Sequence, residues 1–373
     1  MRIALFLTYG YGLSDWEEAG ILDRELSLYR DHFDQGIRTL IVSYGSKNDL
    51  NLIETRPYLD LVVNRYNLPN CLYARLLPYL ISRKGTDIDL IKTNQMYGAH
   101  VALRCSKYLA RPFFIRQGHS FFESQTGSHP EKKDVVTKAR RYEAYHIEQA
   151  DLVTFPTEEM RSRALNRHQI TLKNSKILPN YFLPDAWSPG YDISLTTGSE
   201  EVVFFGKFTR QKNIHTLIRA VAGEGLKLIL IGDGPERSSL QKLAKTKGVD
   251  AEFPGRLPQA SIRNYLSRAL FFVLPSNYEG QPKALIEAMA FGIPVLVTDS
   301  VGVKSEVIHG RTGLVVENTI EGLRKGIKQY HQMKPSDRNR LANNARKRVF
   351  RKYSLSAVAA TERVQFQEIV SVR

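Results

Sequence analysis

The sequence predicts an α/β protein made of two doubly wound parallel sheets that face each other across a central cleft. Three observations carry that expectation. The chain has 373 residues, more than one hydrophobic core usually serves, so two domains of roughly 150 to 200 residues are expected. Short β-branched runs alternate with longer amphipathic ones, the pattern of βαβ units. The alternation breaks once, at "PDAWSPGYDISLTTGS", residues 184–199, where Pro, Gly, Ser and Thr replace any periodicity and mark a linker.

In the first half, apolar runs at 2–8, 37–43, 89–93, 112–116 and 151–155 are too short for buried helices and read as strands. Segments 14–33, 71–83, 97–109, 135–149 and 157–166 have helical spacing. After the linker, strands are expected at 201–206, 226–231, 270–274 and 294–298, with helices at 214–222, 236–247, 283–291 and 319–332. A strongly basic helical segment and a helix over 355–370 finish the chain. The expected division is an N-terminal domain over 1–183, the linker, a C-terminal nucleotide-binding domain over 200–352, and a terminal segment 353–373 that packs back towards the first domain. Sheets of this kind bind ligands beyond the carboxyl ends of their strands.

Composition narrows the class. Hydrophobic content of 42% and charged content of 24% are ordinary for a water-soluble protein. Cys71 and Cys105 form neither a disulfide framework nor a metal-ligand cluster, which fits a reducing, cytoplasmic setting. The apolar run Ile3 to Leu7 is followed by Asp15, Glu17 and Glu18, so it reads as a first buried strand rather than a signal peptide. No run approaches the roughly 18 apolar residues of a membrane span. The net charge of +15 is unevenly placed: residues 1–183 hold 25 basic and 20 acidic side chains, whereas 324–352 hold eleven Lys or Arg against Asp337 alone. Such a field draws an anionic ligand or an anionic membrane, unless it is a solvated helix face. Nucleic-acid binding is disfavoured, because only Tyr330 and Phe350 interleave those cations.

The segment richest in chemistry is "VLPSNYEGQPKALIEAMAFGIPVLVT", Val273 to Thr298. A strand leads into a loop containing Gly280 and Pro282, suited to a tight turn whose N–H groups point at phosphate, and a helix N-terminus adds partial positive charge. Glu279 sits in the loop and Glu287 within the helix; carboxylates accept the hydrogen bonds of sugar and ribose hydroxyls. By spacing alone the two glutamates say little, since surface helices carry many. Asp87-Ile88-Asp89 spells a DxD metal motif, but it precedes Leu90-Ile91 and reads better as the cap of a strand. After the first strand, "TYGYGLSDWEEAG" supplies Gly10 and Gly12, with Asp15 where a dinucleotide fingerprint needs its third glycine, which argues against a nicotinamide enzyme.

The segment resembles the signature of retaining family-4 glycosyltransferases of the GT-B fold, "EG.P..L.EAMA.G.PV". "FFGKFTRQKN", "LIGDGPE", "EFPGRLP" and "GRTGLVV" resemble further motifs of that family in its order, densely over residues 201–316. The resemblance implies that Lys207 and Lys212 hold a donor diphosphate, with Lys207 standing where the family usually has arginine and so lacking the planar bidentate fork. It places Gly232 and Gly234 in a second glycine turn, and Arg256 and Leu257 beside the nucleobase. The backbone of Gly280, Gln281 and Pro282 meets the diphosphate and sugar, Glu279 the sugar hydroxyls, Glu287 the ribose, and Lys283 adds charge near the phosphates unless it is merely a solvated helical lysine. Gly12 is the N-terminal donor-loop glycine, and His119, in "FFIRQGHSFFE", lies near the transferring sugar. Asn180, in "ILPNYF", braces the domain junction. His119 and Glu279 are the catalytic candidates. The scheme implies no cofactor and no metal, since lysines and helix dipoles supply the charge.

The implied reaction moves a sugar from a UDP- or GDP-sugar to a saccharide or lipid-linked hydroxyl acceptor, with retention, in glycan, polysaccharide or glycolipid synthesis. The rivals are a sugar-nucleotide epimerase of the same fold and a basic nucleic-acid-binding protein. The apolar helix 71–83, with Arg75, Arg83 and Lys84 and no acid from Leu61 to Thr86, suggests peripheral docking on an anionic membrane; a core helix with basic ends, interrupted by Pro78, is the other reading.

Overall fold

The computed structural model describes residues 1–84, 87–126, 133–169, 174–187 and 200–371. The chain forms two compact units, one of Met1–Asn180 with the segment from Leu355, the other of Tyr181–Ser354. In the first unit, strands β1 (Arg2–Phe6), β2 (Arg38–Val42), β3 (Leu59–Val62), β4 (Leu90–Thr93), β5 (Phe113–Arg116), β6 (Leu152–Phe155) and β7 (Ser175–Ile177) make one sheet in the order β3-β2-β1-β4-β5-β6-β7. In the second, β8 (Glu201–Phe205), β9 (Lys227–Ile231), β10 (Ala251–Gly255), β11 (Phe271–Leu274), β12 (Val295–Thr298) and β13 (Leu314–Val316) follow the order β10-β9-β8-β11-β12-β13. Every pairing is parallel. Helical crossovers bury the central strands, which explains their unbroken apolar runs. Strand order reverses between β1 and β4 and between β8 and β11, so the carboxyl ends at those two places are where ligands are expected.

The four strands that sequence patterning does not reveal are β3, β7, β10 and β13, and these are the four sheet edges. Edge strands are short and half-covered, so polar residues interrupt them: Asp60 in β3, Lys176 in β7, and Glu252 with Pro254 in β10. The single helix expected over 14–33 is two, Leu13–Glu18 and Leu22–Asp34, parted by Gly20 at φ +65°. Helix Gln259–Arg268 was not expected; it buries only Leu266. Asp87 and Asp89 accept from Arg2, whose guanidinium reaches Asp87 and whose backbone N–H reaches Asp89. Most of the expected linker, residues 188–199, lies outside the described residues. Its first four form helix Pro184–Trp187, whose Trp187 is buried against Phe205 in the core of the second unit.

Helix Leu355–Ser371 belongs to the first unit and is fixed there by a buried charge cluster. Glu362 and Lys92 of β4 are both fully buried and form a 2.8 Å ion pair. His32 Nε2 lies 2.8 Å from the other Glu362 oxygen, and Lys92 donates to Tyr29 Oη at 3.2 Å. Arg363–Asp31 and Lys176–Glu368 pairs flank the cluster. Burial alone would raise the Glu362 carboxyl, but Lys92 and the His32 hydrogen bond hold it well below the usual carboxylate range. A carboxyl with a depressed folded-state value adds stability that is fully present above its unfolded value, near 4.3, and is lost as pH falls below it. Glu362→Gln strands the Lys92 ammonium in the core and should cost about 3–5 kcal/mol. Urea unfolding at pH 7 measures that loss, and the variant's stability should decline less steeply than the wild type's below pH 4.

Candidate functional site

In the second unit, two glycine turns meet backbone to backbone at the carboxyl ends of β8 and β9. Gly206 N–H donates to the Ile231 carbonyl at 3.0 Å and Phe208 N–H to the Asp233 carbonyl at 2.9 Å. A Cβ on Gly232 would stand 1.9 Å from the Gly206 oxygen, and one on Gly234 would stand 2.3 Å from that of Phe208. Both glycines also have positive φ, +141° and +158°, so no other residue fits. Arg237 donates to the carbonyls of Gly232 and Phe253 and ties the second turn to β10. Together these turns frame a cavity of about 330 Å³ lined by Gly206, Lys207, Gly232, Asp233, Arg256 and Leu257, among others. Four residues chosen from three separate sequence motifs thus line one cavity: Lys207, Gly232, Arg256 and Leu257. Lys207 is exposed there and has no carboxylate partner among the described residues.

The turn after β8 is stitched to the loop after β11. Lys212, from the short 3-10 turn Arg210–Lys212, places Nζ 2.5 Å from Glu279 Oε1. Glu279 is 7% exposed and accepts also from the Ser276 hydroxyl at 2.6 Å. Gln211 donates to the Tyr278 carbonyl at 2.8 Å, while Asn277 N–H donates to the Gln211 carbonyl at 2.8 Å. Asn213, Asn318 and Asn277 continue the network through side-chain amides, each bond 2.9 Å. From the other side, Glu279 N–H donates to the Val301 carbonyl, and the close approach leaves no room on Gly302, where a Cβ would lie 2.0 Å from the Glu279 oxygen.

Helix Lys283–Phe291 starts immediately after this loop, with Pro282 as an N-cap that offers no side-chain hydrogen bond. Its first turn therefore presents N–H groups and partial positive charge at the carboxyl end of β11. Lys283 is exposed and Glu287 half-buried one turn later on the same face. Gly280 and Gln281 are half-buried in the loop. Sequence reasoning assigned no role to Gln211 or Asn318, because short polar loop residues carry no periodic signal.

The remaining two candidates lie in the first unit, each on its own loop. His119 is exposed just beyond β5. Its turn is held by Gly118, whose N–H donates to Gln95 Oε1 at 2.9 Å and whose carbonyl accepts from Asn180 at 3.0 Å. Asn180, expected at the domain junction, is the last residue of the first unit before the chain enters the second, and its side chain braces the His119 turn. Gly12 precedes helix Leu13–Glu18 and is buried; a Cβ there would meet Gly45 at 2.7 Å and Asp49 Oδ2 at 2.8 Å. Asp49 is the residue that sequence reading missed. It is fully buried and accepts from Leu13 N–H (2.7 Å), Ser14 N–H (3.1 Å), Ser14 Oγ (2.5 Å) and Ser43 Oγ (2.5 Å). Its carboxylate fixes the loop that Gly12 opens. Among the described residues, no group of three His, Cys, Asp or Glu side chains is arranged to hold a metal.

Two parallel sheets with these loop arrangements define the GT-B fold. Sucrose-phosphate synthase from Thermosynechococcus elongatus superposes with a TM-score of 0.77 at 21% identity over 100% of both chains. The Anabaena protein HepE, solved with UDP and glucose, gives 0.73 at 17% identity over 99% of this chain and 100% of that one. Residues 192–348 match the family model described as "Glycosyl transferases group 1". The lipopolysaccharide core biosynthesis glycosyltransferase LpsE of Rhizobium meliloti is 35% identical over 42% of this chain and 46% of its own length. The GDP-mannose-dependent alpha-mannosyltransferase of Mycolicibacterium smegmatis is 32% identical over 35% of this chain and 32% of its own. The chain thus spans less than half the length of these relatives. Asp49→Ala should leave two backbone donors unpaired and cost on the order of 3 kcal/mol; urea unfolding of the variant checks it.

Proposed function

We propose that this protein transfers a sugar, with retention at the anomeric carbon, from a UDP- or GDP-sugar to a hydroxyl acceptor in polysaccharide or lipopolysaccharide synthesis. The observation that carries the reading is the Lys212–Glu279 pair at 2.5 Å, with Glu279 on the loop that opens helix Lys283–Phe291. A donor diphosphate placed there meets Lys207, Lys212 and the first-turn amides of helix Lys283–Phe291. These groups stabilise the charge that develops as the sugar–phosphate bond breaks. Glu279 accepts from sugar hydroxyls and Glu287 from the ribose, while the cavity beside Arg256 and Leu257 receives the base. His119 is the first unit's candidate for contact with the sugar. The leaving phosphate takes the acceptor proton, so no protein nucleophile is required. Relatives named for a GDP-mannose donor and structures solved with UDP, glucose or UDP-glucose support this donor class.

Lys212→Ala should lower donor affinity at least tenfold, and Glu279→Gln should reduce transfer at least a hundredfold with donor binding weakened far less. Transfer from UDP- and GDP-sugars to a mixed glycan acceptor, followed by isothermal titration of the donor, measures both. Full activity in Glu279→Gln, or conversion of the donor sugar with no acceptor present, would sink the assignment in favour of an epimerase.

A peripheral membrane contact is part of the reading. No described helix is long and apolar enough to cross a membrane. Helix Asn70–Ser82 exposes Leu72, Leu76 and Tyr79, and Tyr66 beside it is 83% exposed. Tyr66 and Leu76, with Arg65, Arg83 and Lys84, line a cavity of about 460 Å³. Leu72→Asp with Leu76→Asp should reduce co-sedimentation with phosphatidylglycerol vesicles several-fold while donor binding persists.

A further inference from the structure

The second unit carries a cationic groove that the donor site does not use. The turn 308–312, which leads into the amino end of β13, forms one wall. The last turns of helix Pro335–Tyr353 form the other. The space between them is about 650 Å³. The donor loops follow the carboxyl ends of β8, β9 and β11 in the same parallel sheet, so the turn before β13 enters that sheet from its opposite end.

Arg311 stands on the turn, and Lys347, Arg348, Arg351 and Lys352 stand on the helix. Steps of three and four residues put the helical cations on one face. The walls are joined: Asn344 donates to the Arg311 carbonyl at 3.1 Å, and Arg348 donates to the carbonyls of Ser305 and Glu306 at 3.3 Å each. The acid at the groove is Glu306, which is buried, accepts from the Tyr353 hydroxyl and lies 3.7 Å from Lys352. Arg311, Lys347 and Arg351 are exposed and have no carboxylate partner among the described residues. A solvated helix face normally mixes both signs of charge. Here the helix carries Asp337 alone, in its first turn, and the unpaired cations line two walls rather than one convex face.

We propose that this groove binds an anionic glycan chain, one bearing carboxylate or phosphate groups at regular intervals. Lys347 and Arg351 are one helical turn, about 6 Å, apart, with Arg311 facing them from the turn. This spacing suits repeated negative groups on a strand better than a single anion. A bilayer fits poorly, because an interfacial helix presents large apolar residues beside its cations, and Ile308 is the single exposed large hydrophobic side chain lining this groove. Single-stranded nucleic acid fits poorly too, since it needs aromatic platforms and no aromatic side chain lines the groove. The preference for a multivalent anion stands on geometry; the choice of a glycan rests on the proposed transferase function.

The test uses the full chain and fluorescently labelled oligogalacturonate of about twelve residues, read by anisotropy. The wild type should bind the oligomer at least tenfold more tightly than galacturonate monomer, should ignore maltooligosaccharides, and should weaken steeply with added salt. The triple variant Arg311→Gln, Lys347→Gln, Arg351→Gln should bind the oligomer at least tenfold more weakly with an unchanged melting temperature. Removing the same charge elsewhere, by Lys242→Gln, Lys245→Gln and Lys247→Gln, should change binding less than twofold. Equal loss in both variants, or none in the first, overturns the proposal. So does equal affinity for monomer and oligomer, or a groove variant that loses phosphatidylglycerol vesicles or single-stranded DNA while keeping oligogalacturonate. Donor titration is run in parallel: groove binding without donor binding sinks the transferase reading alone, and the converse sinks the groove alone.

Discussion

A carboxylate removed from water must be paired or hydrogen-bonded, at a cost of several kcal/mol if it is not. Both units are organised around that requirement. Each buried acid meets it with a different kind of partner, and the partner decides what the acid does. Glu362 is neutralised by Lys92 and His32 and holds the terminal helix in the first unit. Asp49 takes backbone N–H groups and hydroxyls, no cation, and so fixes the shape of the loop that Gly12 opens. Glu279 is held by Lys212, by the Ser276 hydroxyl and, more distantly, by the Gln211 amide, all from loops at the carboxyl ends of β8 and β11. The first two acids are sealed within the core. Glu279 keeps 7% exposure, and its lysine keeps more, which is the arrangement of a group that can exchange partners.

That exchangeable pair is useful only if the loops carrying it hold still. Here they do so through backbone contact rather than side-chain packing. Gly232 and Gly234 let the turn after β9 close against the turn after β8, and Gly302 lets a third segment press against the Glu279 carbonyl. Each contact is closer than any Cβ allows, so the precision of the site is written in glycines. The polar chain from Asn213 through Asn318 to Asn277 then fixes the same loops laterally. Lys207, by contrast, has no such restraint and remains exposed, consistent with a lysine's role as a mobile point charge rather than the rigid fork of an arginine.

Much of this was legible in the sequence, and what was not has a common cause. Central strands announced themselves as apolar runs because both their faces are buried, whereas β3, β7, β10 and β13 have one neighbour each and admit Asp60, Lys176 and Pro254. At the site, Glu279, Lys212 and the glycine turns were reached through a motif resemblance; spacing along the chain could not reveal that residues 67 positions apart touch. Asp49 left no trace at all, since an aspartate in a polar loop reads as solvated until the fold folds it under Gly12. Asn180 was singled out by its motif, and no pattern in the chain shows that it reaches the carbonyl of Gly118 and steadies the His119 turn.

Under the proposed reaction, the resting pair also couples recognition of the two ends of the donor. A diphosphate that draws Lys212 away leaves the buried Glu279 carboxylate without a cation, with the Ser276 hydroxyl at Oε1 and the Gln211 amide 3.4 Å from Oε2. Breaking a buried pair by removing one partner is strongly destabilising. A nucleoside diphosphate by itself therefore gains one charge contact and forfeits another. A sugar whose hydroxyls donate to Glu279 restores what the carboxylate lost, so the complete donor gains at both ends. Discrimination then arises from what is left unpaired rather than from extra contact, the most effective kind of selectivity available to a small polar site. The same logic opposes tight retention of the product nucleotide: once the sugar has moved, the pair at 2.5 Å is the better partner for both side chains.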